Sequence, residues 1–351
     1  MKMTGSESLE SILWLVCESH ELSDMHLRVD ERRYLNALNR NNAAAAIRFP
    51  MKGKINTRQM KLNCIIQAVL GCLPIPDPSL NQEAMKIMRI AARVCKCLVA
   101  YVTGPFLSQK TNIYSAVLNA LVLNKCVKAH LWENSPYLSK QLKGIGPTYS
   151  SLLASVGKIN FMLLEESHPR DLERIMNKGP PAGNILRKQL SLLPKYRLTL
   201  TPIDAYTINI ELTLLNHAYL LENIEHLTIG GNHKFYLAVG DSDNNLLHLS
   251  SYKDKDLLSV YDGCIKCNVS RKQSHEYKLI AHCISANFVG IDEHCEFEIK
   301  DMFPRNDNNI NCSEISQNVS LGASIDSKKE ENSERKRKNT NNEITQSREK
   351  K

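Results

Sequence analysis

Through most of the first 130 positions, apolar residues recur at three-and-four spacing. "SLESILWLVCESHEL", "ERRYLNALNR", "QMKLNCIIQAVLG", "QEAMKIMRIAARVCKCLVAYV" and "NIYSAVLNALVLNKCVKAHLW" each carry the period of an amphipathic helix. Residues 1–130 are therefore expected to form a helical bundle. Pro74, Pro76 and Pro78 interrupt the period, so "CLPIPDPS" reads as an extended connector between the third and fourth helices. Residues 131–195 hold shorter helical runs punctuated by Gly144-Ile145-Gly146 and Pro180-Pro181, a compact helical domain. From Tyr196 the pattern changes to alternation or short apolar runs: "YRLTLTP", "TINIELTLLN", "FYLAVGD", "NLLHLSS", "CIKCNVS", "KLIAHCIS" and "CEFEIKDMF". Seven such strands over 196–303, separated by pieces such as "GDSDNN", fit an immunoglobulin-like β-sandwich. After Pro304 the aromatics vanish and Asn, Ser, Lys and Glu take over, so 304–351 is expected to be a disordered tail. The fold class is α+β and multidomain.

Composition changes this picture little. A chain of 351 residues has room for two or three domains, each with its own core. The net charge of +8 suits a nucleic-acid or anionic partner without fixing the fold. Eleven cysteines, an odd and scattered set, point to reduced thiols in cytosol or nucleus. No apolar run approaches the roughly 18 residues of a membrane span, so no membrane partner is expected. Within the tail, Arg335-Lys336-Arg337-Lys338 suits either a nuclear localisation patch or a merely solvated charged stretch.

Two places carry candidate chemistry. At about 100° per residue, Lys86, Arg89, Arg93 and Lys96 fall within an arc of roughly 80° on the fourth helix, while Ile87, Met88, Ile90, Ala91, Val94, Cys95, Leu98 and Val99 fill most of the rest. The stripe is either a narrow solvated face or the lining of a groove that nucleic acid follows. In "YLSKQLKGIGPTYSSLLASVG", Gly144 can end a helix in a left-handed conformation and Pro147 suits the first position of the next, which a plain turn explains. The same residues match a helix-hairpin-helix, whose glycines let the backbone approach a phosphate at the free N–H groups of the second helix, with Lys143 adding charge. The candidate nucleic-acid-binding residues are thus Lys86, Arg89, Arg93, Lys96, Lys143, Gly144, Ile145, Gly146 and Thr148.

Two other motifs lead nowhere. "NFVGIDEHC" imitates the Asp-Glu-x-His of a helicase, but no GxxxxGK[ST] loop precedes it. Cys264 and Cys267, with His282, Cys283, His294 and Cys295 downstream, match no familiar zinc spacing, so no metal is expected. No G-x-S-x-G elbow or Cys–His setting marks a nucleophile.

The order of parts, together with "ELSDMHLRVDERRYLNALN", "IRFPMKGKINTRQMKLNCIIQAVLGCLPIPD", "ARVCKCLVAYV", "KGIGPTYSSLLASVG", "NKGPPAGNILRKQLSLLPKY" and "ISANFVGIDEH", resembles the accessory module behind the motor domains of superfamily-two helicases. That module also occurs in an endoplasmic-reticulum translocation protein and in the large spliceosomal helicase; in detail this chain resembles the meiotic crossover (HFM-type) helicases. The resemblance spans residues 9–300. It implies that the striped helix is a ratchet helix along the departing single strand, with Arg89 and Arg93 as the foremost DNA contacts. By the same resemblance the hairpin holds the strand farther along, and the sandwich docks the motor, in cis or in trans, or a protein partner. Single-stranded or branched DNA and a nuclear location follow from it, as do ATP and magnesium for the motor alone. The motor and winged-helix domains are missing before residue 9, so this chain is expected to have no cofactor and no ATPase activity of its own. Tyr149-Ser150 replaces the small alanine often found after the hairpin, which puts close packing there in doubt. The competing expectation is a protein-interaction scaffold that binds no nucleic acid.

Overall fold

Helix α1 (Leu9–Cys17) starts where the Ser8 hydroxyl accepts the amide of Ser11, and its stripe of Ile12, Leu13, Val16 and Cys17 is fully buried. The computed structural model describes residues 3–40, 46–104, 112–204, 207–270 and 277–299. The tail 304–351 and its Arg335–Lys338 run lie outside the described residues.

Helices α2 (Arg32–Leu38), α3 (Arg58–Leu70), α4 (Pro78–Val102) and α5 (Tyr114–Ala129) complete the N-terminal helical part. Every residue of α3 from Lys61 to Leu70 is buried, because α1, α2, α4 and α5 pack around it. α4 begins a turn earlier than its apolar period suggests. Asp77 caps it, accepting the amides of Ser79 at 2.7 Å and Leu80 at 3.1 Å, and Pro78 occupies the first position, where its missing N–H costs nothing. Only Pro74 and Pro76 therefore belong to the extended connector. At 1.5 Å per residue, α4 is about 37 Å long.

α5 is the wall between the two halves of the molecule. One side packs on α4, and the other meets strands of the sandwich. Its polar positions on that side are buried and paired: Asn124 donates to the Ala286 carbonyl at 3.2 Å, and the Lys125 ammonium pairs with Asp292. At its start, the Tyr114 ring lies so close to Gly240 that a Cβ there would sit 2.3 Å from the ring.

A 3-10 turn (Leu138–Gln141), α6 (Pro147–Ser155), α7 (Phe161–Glu166), α8 (Pro169–Met176) and α9 (Ala182–Ser191) enclose a core of Leu142, Ile145, Leu153, Leu164, Leu172, Leu186 and Leu190, closed by Phe288 of the sandwich. α9 crosses α8 so tightly that a Cβ on Gly183 would stand 2.1 Å from the Pro169 carbonyl oxygen.

The C-terminal part is two antiparallel sheets. β1 (Tyr196–Pro202), β2 (Thr207–Leu214) and β5 (Cys264–Ser270) form one in the order β1-β2-β5; β3 (Lys234–Asp241), β4 (Leu246–Lys253), β6 (Tyr277–Ser285) and β7 (Glu293–Ile299) form the other in the order β4-β3-β6-β7. Ile208, Ile210 and Leu212 from the first sheet meet Phe235, Leu237, Val239, Leu279 and Ala281 from the second. β3 is buried on both faces from Leu237 onward, since α5 covers its other side. Two short helices lack any expectation from the sequence: α10 (His217–Glu222) between β2 and β3, and α11 (Asp254–Ser259) between β4 and β5. All described residues belong to one compact unit, and no helix among them is long and apolar enough to cross a membrane.

Candidate nucleic-acid interface

α4 buries Leu80, Ala84, Ile87, Met88, Ala91, Cys95, Val99 and Val102 against its neighbours. Lys86, Arg89, Arg93 and Lys96 lie together on its exposed side, at intervals of three, four and three residues. They share that side with Gln82, Met85, Cys97, Ala100 and Tyr101, so the stripe lies on an open face of the helix and not inside a closed bundle channel. Among the described residues, Lys86, Arg89 and Lys96 have no ion-pair partner, whereas the Arg93 Nε donates to Glu21 Oε2 at 2.6 Å. Glu21 sits in a 3-10 turn (His20–Leu22) packed beside α4. Both side chains remain largely exposed, at 64% and 40%, so the pair is weak and exchangeable.

The glycine hairpin has a different shape from two full helices. Its first element is the single 3-10 turn Leu138–Gln141, ended by Leu142 in an extended conformation before Gly144 is reached. Gly144 has φ +83°, a left-handed conformation that favours glycine. Gly146 is the N-cap of α6 and Pro147 its first residue, and no side chain caps that helix end. Neither glycine would bring a Cβ within 4 Å of anything, so the approach to the backbone is open. Lys143 and Thr148 are exposed, but the Ile145 side chain is buried in the core of α6–α9, leaving only its backbone for a ligand.

Gln189 of α9 fixes the loop, accepting from the Lys143 amide at 2.7 Å and donating to its carbonyl at 3.0 Å. Lys178, just beyond α8, donates to the Gly144 carbonyl at 3.2 Å and lies 4.0 Å from the Tyr149 ring centroid. It is a second cation at the hairpin that sequence reasoning missed. Tyr149-Ser150 causes no loosening: Ser150 is buried, accepts from Ser139 Oγ at 2.9 Å and donates to the Tyr137 carbonyl at 3.2 Å.

The remaining motifs are structural. In "GIDEH", Asp292 pairs with Lys125 and accepts the Ser285 amide at 2.9 Å, and Glu293 opens the last strand. Cys264 and Cys267 differ in parity along β5 and face opposite sides of the sheet; among the described residues no group of three or more His, Cys, Asp or Glu is arranged to hold a metal. His233 lies between Asp254, 2.9 Å from its Nδ1, and Ser285, 2.8 Å from its Nε2, an arrangement reminiscent of a hydrolase triad. All three residues are buried and Tyr196 fills the remaining approach, donating to Asp254 at 2.5 Å, so no substrate can reach the serine. Burial pushes the Cys64 and Cys95 thiols up to about 12, keeping them protonated and inert.

The family model described as "Sec63 Brl domain" matches residues 1–298. The chain is 37% identical over 302 residues to the "Probable ATP-dependent DNA helicase HFM1" of Xenopus tropicalis, covering 84% of this chain and 22% of that protein. The human protein of the same name is 37% identical over 294 residues, covering 83% and 20%. The "ATP-dependent DNA helicase homolog MER3" of Arabidopsis thaliana is 29% identical over 316 residues, covering 87% and 27%. The chain thus spans only about a fifth to a quarter of the length of the curated relatives it matches.

Proposed function

The chain belongs to the Sec63 Brl domain family, a C-terminal module of helicases, and from that premise we propose that it is the nucleic-acid-binding accessory module of an ATP-dependent DNA helicase of the meiotic crossover type. It grips single-stranded or branched DNA without reading sequence, in the nucleus, and supplies hold and direction to a motor present in cis or in trans. The sandwich offers a docking surface for that motor or for a partner protein. ATP and magnesium serve the motor; no GxxxxGK[ST] loop occurs in this sequence, and no step in this chain runs through them.

The exposed cationic face of α4 carries the proposal. The open face of this helix gathers four cations, three of them without an acidic partner among the described residues. A surface of that kind attracts phosphates at long range and gains from counterion release. The hairpin adds an uncapped helix end with an accessible backbone, flanked by Lys143 and Lys178, which suits a second phosphate contact.

Fluorescence anisotropy of labelled single-stranded and forked DNA at several salt concentrations tests the proposal, with Arg89→Ala/Arg93→Ala as the variant. The expected result is weak, sequence-independent binding that falls steeply with salt. Each phosphate contact contributes about 0.7 to the salt slope for a single strand, so the variant's slope should be shallower by about 1.4. Absent binding, or an unchanged variant, makes the hairpin a structural turn and the chain a protein-docking scaffold.

A further inference from the structure

The cationic face of α4 does not end at Lys96. The same three-and-four spacing continues to Ala100 and Thr103, two small residues, and there the helix borders a cleft of about 530 Å³ between α4, α5 and the start of β3. Lys96, Lys128 and Lys234 all line it, one from each element, and none of the lining residues is acidic. Among the described residues none of the three lysines has an ion-pair partner. Desolvation first, and then the charge of Lys96 and the smaller effect of Lys234, hold the Lys128 ammonium below its ordinary value against an opposing effect of Cys95. Folding has therefore gathered three cations at one cleft with no carboxylate in its lining; Lys128 donates to the Ala286 carbonyl at 3.5 Å and Lys234 lies 5.0 Å from the Tyr236 ring centroid, and an anion seated there would relieve the remaining repulsion. Asn124 lines the same cleft, donating to the Ala286 carbonyl at 3.2 Å, and its buried Oδ1 has no hydrogen-bond partner.

We propose that this cleft is a phosphate-binding site on the nucleic-acid path, in which Lys96, Lys128 and Lys234 seat backbone phosphate of a single DNA strand running off the cationic face of α4. The inference rests on the function proposed above and adds to it two residues, Lys128 and Lys234, that belong to no stripe and no motif. Continuity of the α4 face with the cleft favours nucleic acid as the source of the phosphate over a phosphorylated protein.

Lysine acetylation footprinting of the wild-type 351-residue chain, read by mass spectrometry with and without saturating single-stranded oligonucleotide, tests this without any substitution. Lys96, Lys128 and Lys234 should each be protected, while Lys266 on the exposed edge of the other sheet should not. In parallel, Lys128→Gln/Lys234→Gln should flatten the salt slope of DNA binding by about 1.4, and Lys128→Arg/Lys234→Arg should retain it. If Arg89→Ala/Arg93→Ala weakens binding but Lys128 and Lys234 stay fully reactive under saturating DNA, the cleft inference is overturned and the proposed function stands. Should the wild type bind no DNA at all, both are overturned. Protection of the cleft lysines by a phosphopeptide but not by DNA also overturns it in favour of a protein partner.

Discussion

Lys61 on α3 has no exposed surface and sits at the centre of an ion-pair cluster. Its ammonium lies 2.7 Å from Glu31 and 2.8 Å from Glu83 and donates to the His26 carbonyl at 2.7 Å; Arg28 pairs with both carboxylates from the solvent side. Glu83 is three residues before Lys86, so this cluster anchors the N-terminal half of α4, and with it the orientation of the cationic face. Lys61→Met keeps the aliphatic volume and removes the charge. Glu31, also fully buried in its side chain, would then face the interior with only the half-exposed Arg28 as its cation. Breaking a buried pair by deleting one partner costs about 3–5 kcal/mol, a large part of a total stability of about 5–15 kcal/mol. For a unit of about 300 residues, with an unfolding entropy of about 2.1 cal/mol/K per residue, that corresponds to a fall in Tm of about 5–8 °C.

The pH dependence tests the cause. Burial raises the Glu31 carboxyl, but hydrogen bonds from Lys61 and Arg28 outweigh it and hold the carboxyl below its ordinary 4.5. A depressed carboxyl contributes stability that is present above 4.5 and is lost as pH falls through the native value. Without Lys61 the burial effect dominates, the carboxyl rises, and the variant can relieve its deficit by taking up a proton. The gap between wild type and Lys61→Met should thus be widest near pH 7 and narrow toward pH 4, and Lys61→Met/Glu31→Leu should recover most of the loss. Denaturant unfolding followed by circular dichroism between pH 4 and 7 measures it. A gap below about 1 kcal/mol at pH 7, or one that stays constant across the range, refutes the reasoning.

Glu21→Gln releases Arg93 from its partner, so DNA should bind more tightly, with a salt slope steeper by up to about 0.7; equal or weaker binding in the anisotropy assay would show that Arg93 makes no phosphate contact. His282 is held down to about 4 by burial and then by the charge of His294, against an ordinary value of 6.5. The unfolded chain binds the extra proton across that interval, so stability should fall by about 1–3 kcal/mol as pH drops from 6.5 to 4, and His282→Asn should flatten that part of the profile in thermal melts.

The large elements were legible because their signal is local: the periods of three-and-four and of two locate α1 to α5 and all seven strands to within a few residues. Pro78 misled because a proline breaks a helix interior but starts a helix well, and Asp77 immediately before it was the available clue. The hairpin's first helix shrinks to a 3-10 turn because Leu138 and Leu142 are both drawn into cores on either side of it, a tertiary demand that local spacing does not express. α10 and α11 are six residues each, too short for a period to emerge. On the interface side, the α4 cations were visible since one helix supplies them all. Lys178, Lys128 and Lys234 were not, for each reaches its place only when distant segments pack, and neither was Glu21, 72 positions from the arginine it holds. The buried Asn124 and Lys125 face the sandwich, and no local spacing in α5 marks them for it.

That last pair determines how the interface holds together. Burial lowers the Lys125 ammonium, and its ion-pair partner, Asp292, stands across the junction. Pulling the sandwich from α5 would leave that ammonium, the Asn124 amide and the Tyr114 hydroxyl, 2.6 Å from His282 and 3.1 Å from the Ile280 carbonyl, without their partners. With water taking the vacated places, each neutral hydrogen bond contributes about 0.5–1.5 kcal/mol net, and they would be lost together. Lys234 on β3 is therefore fixed relative to Lys96 on α4 through α5, although 138 positions separate them in the chain. A strand seated on both would be held by one packed unit, which is what a module must offer if a motor is to pull against it.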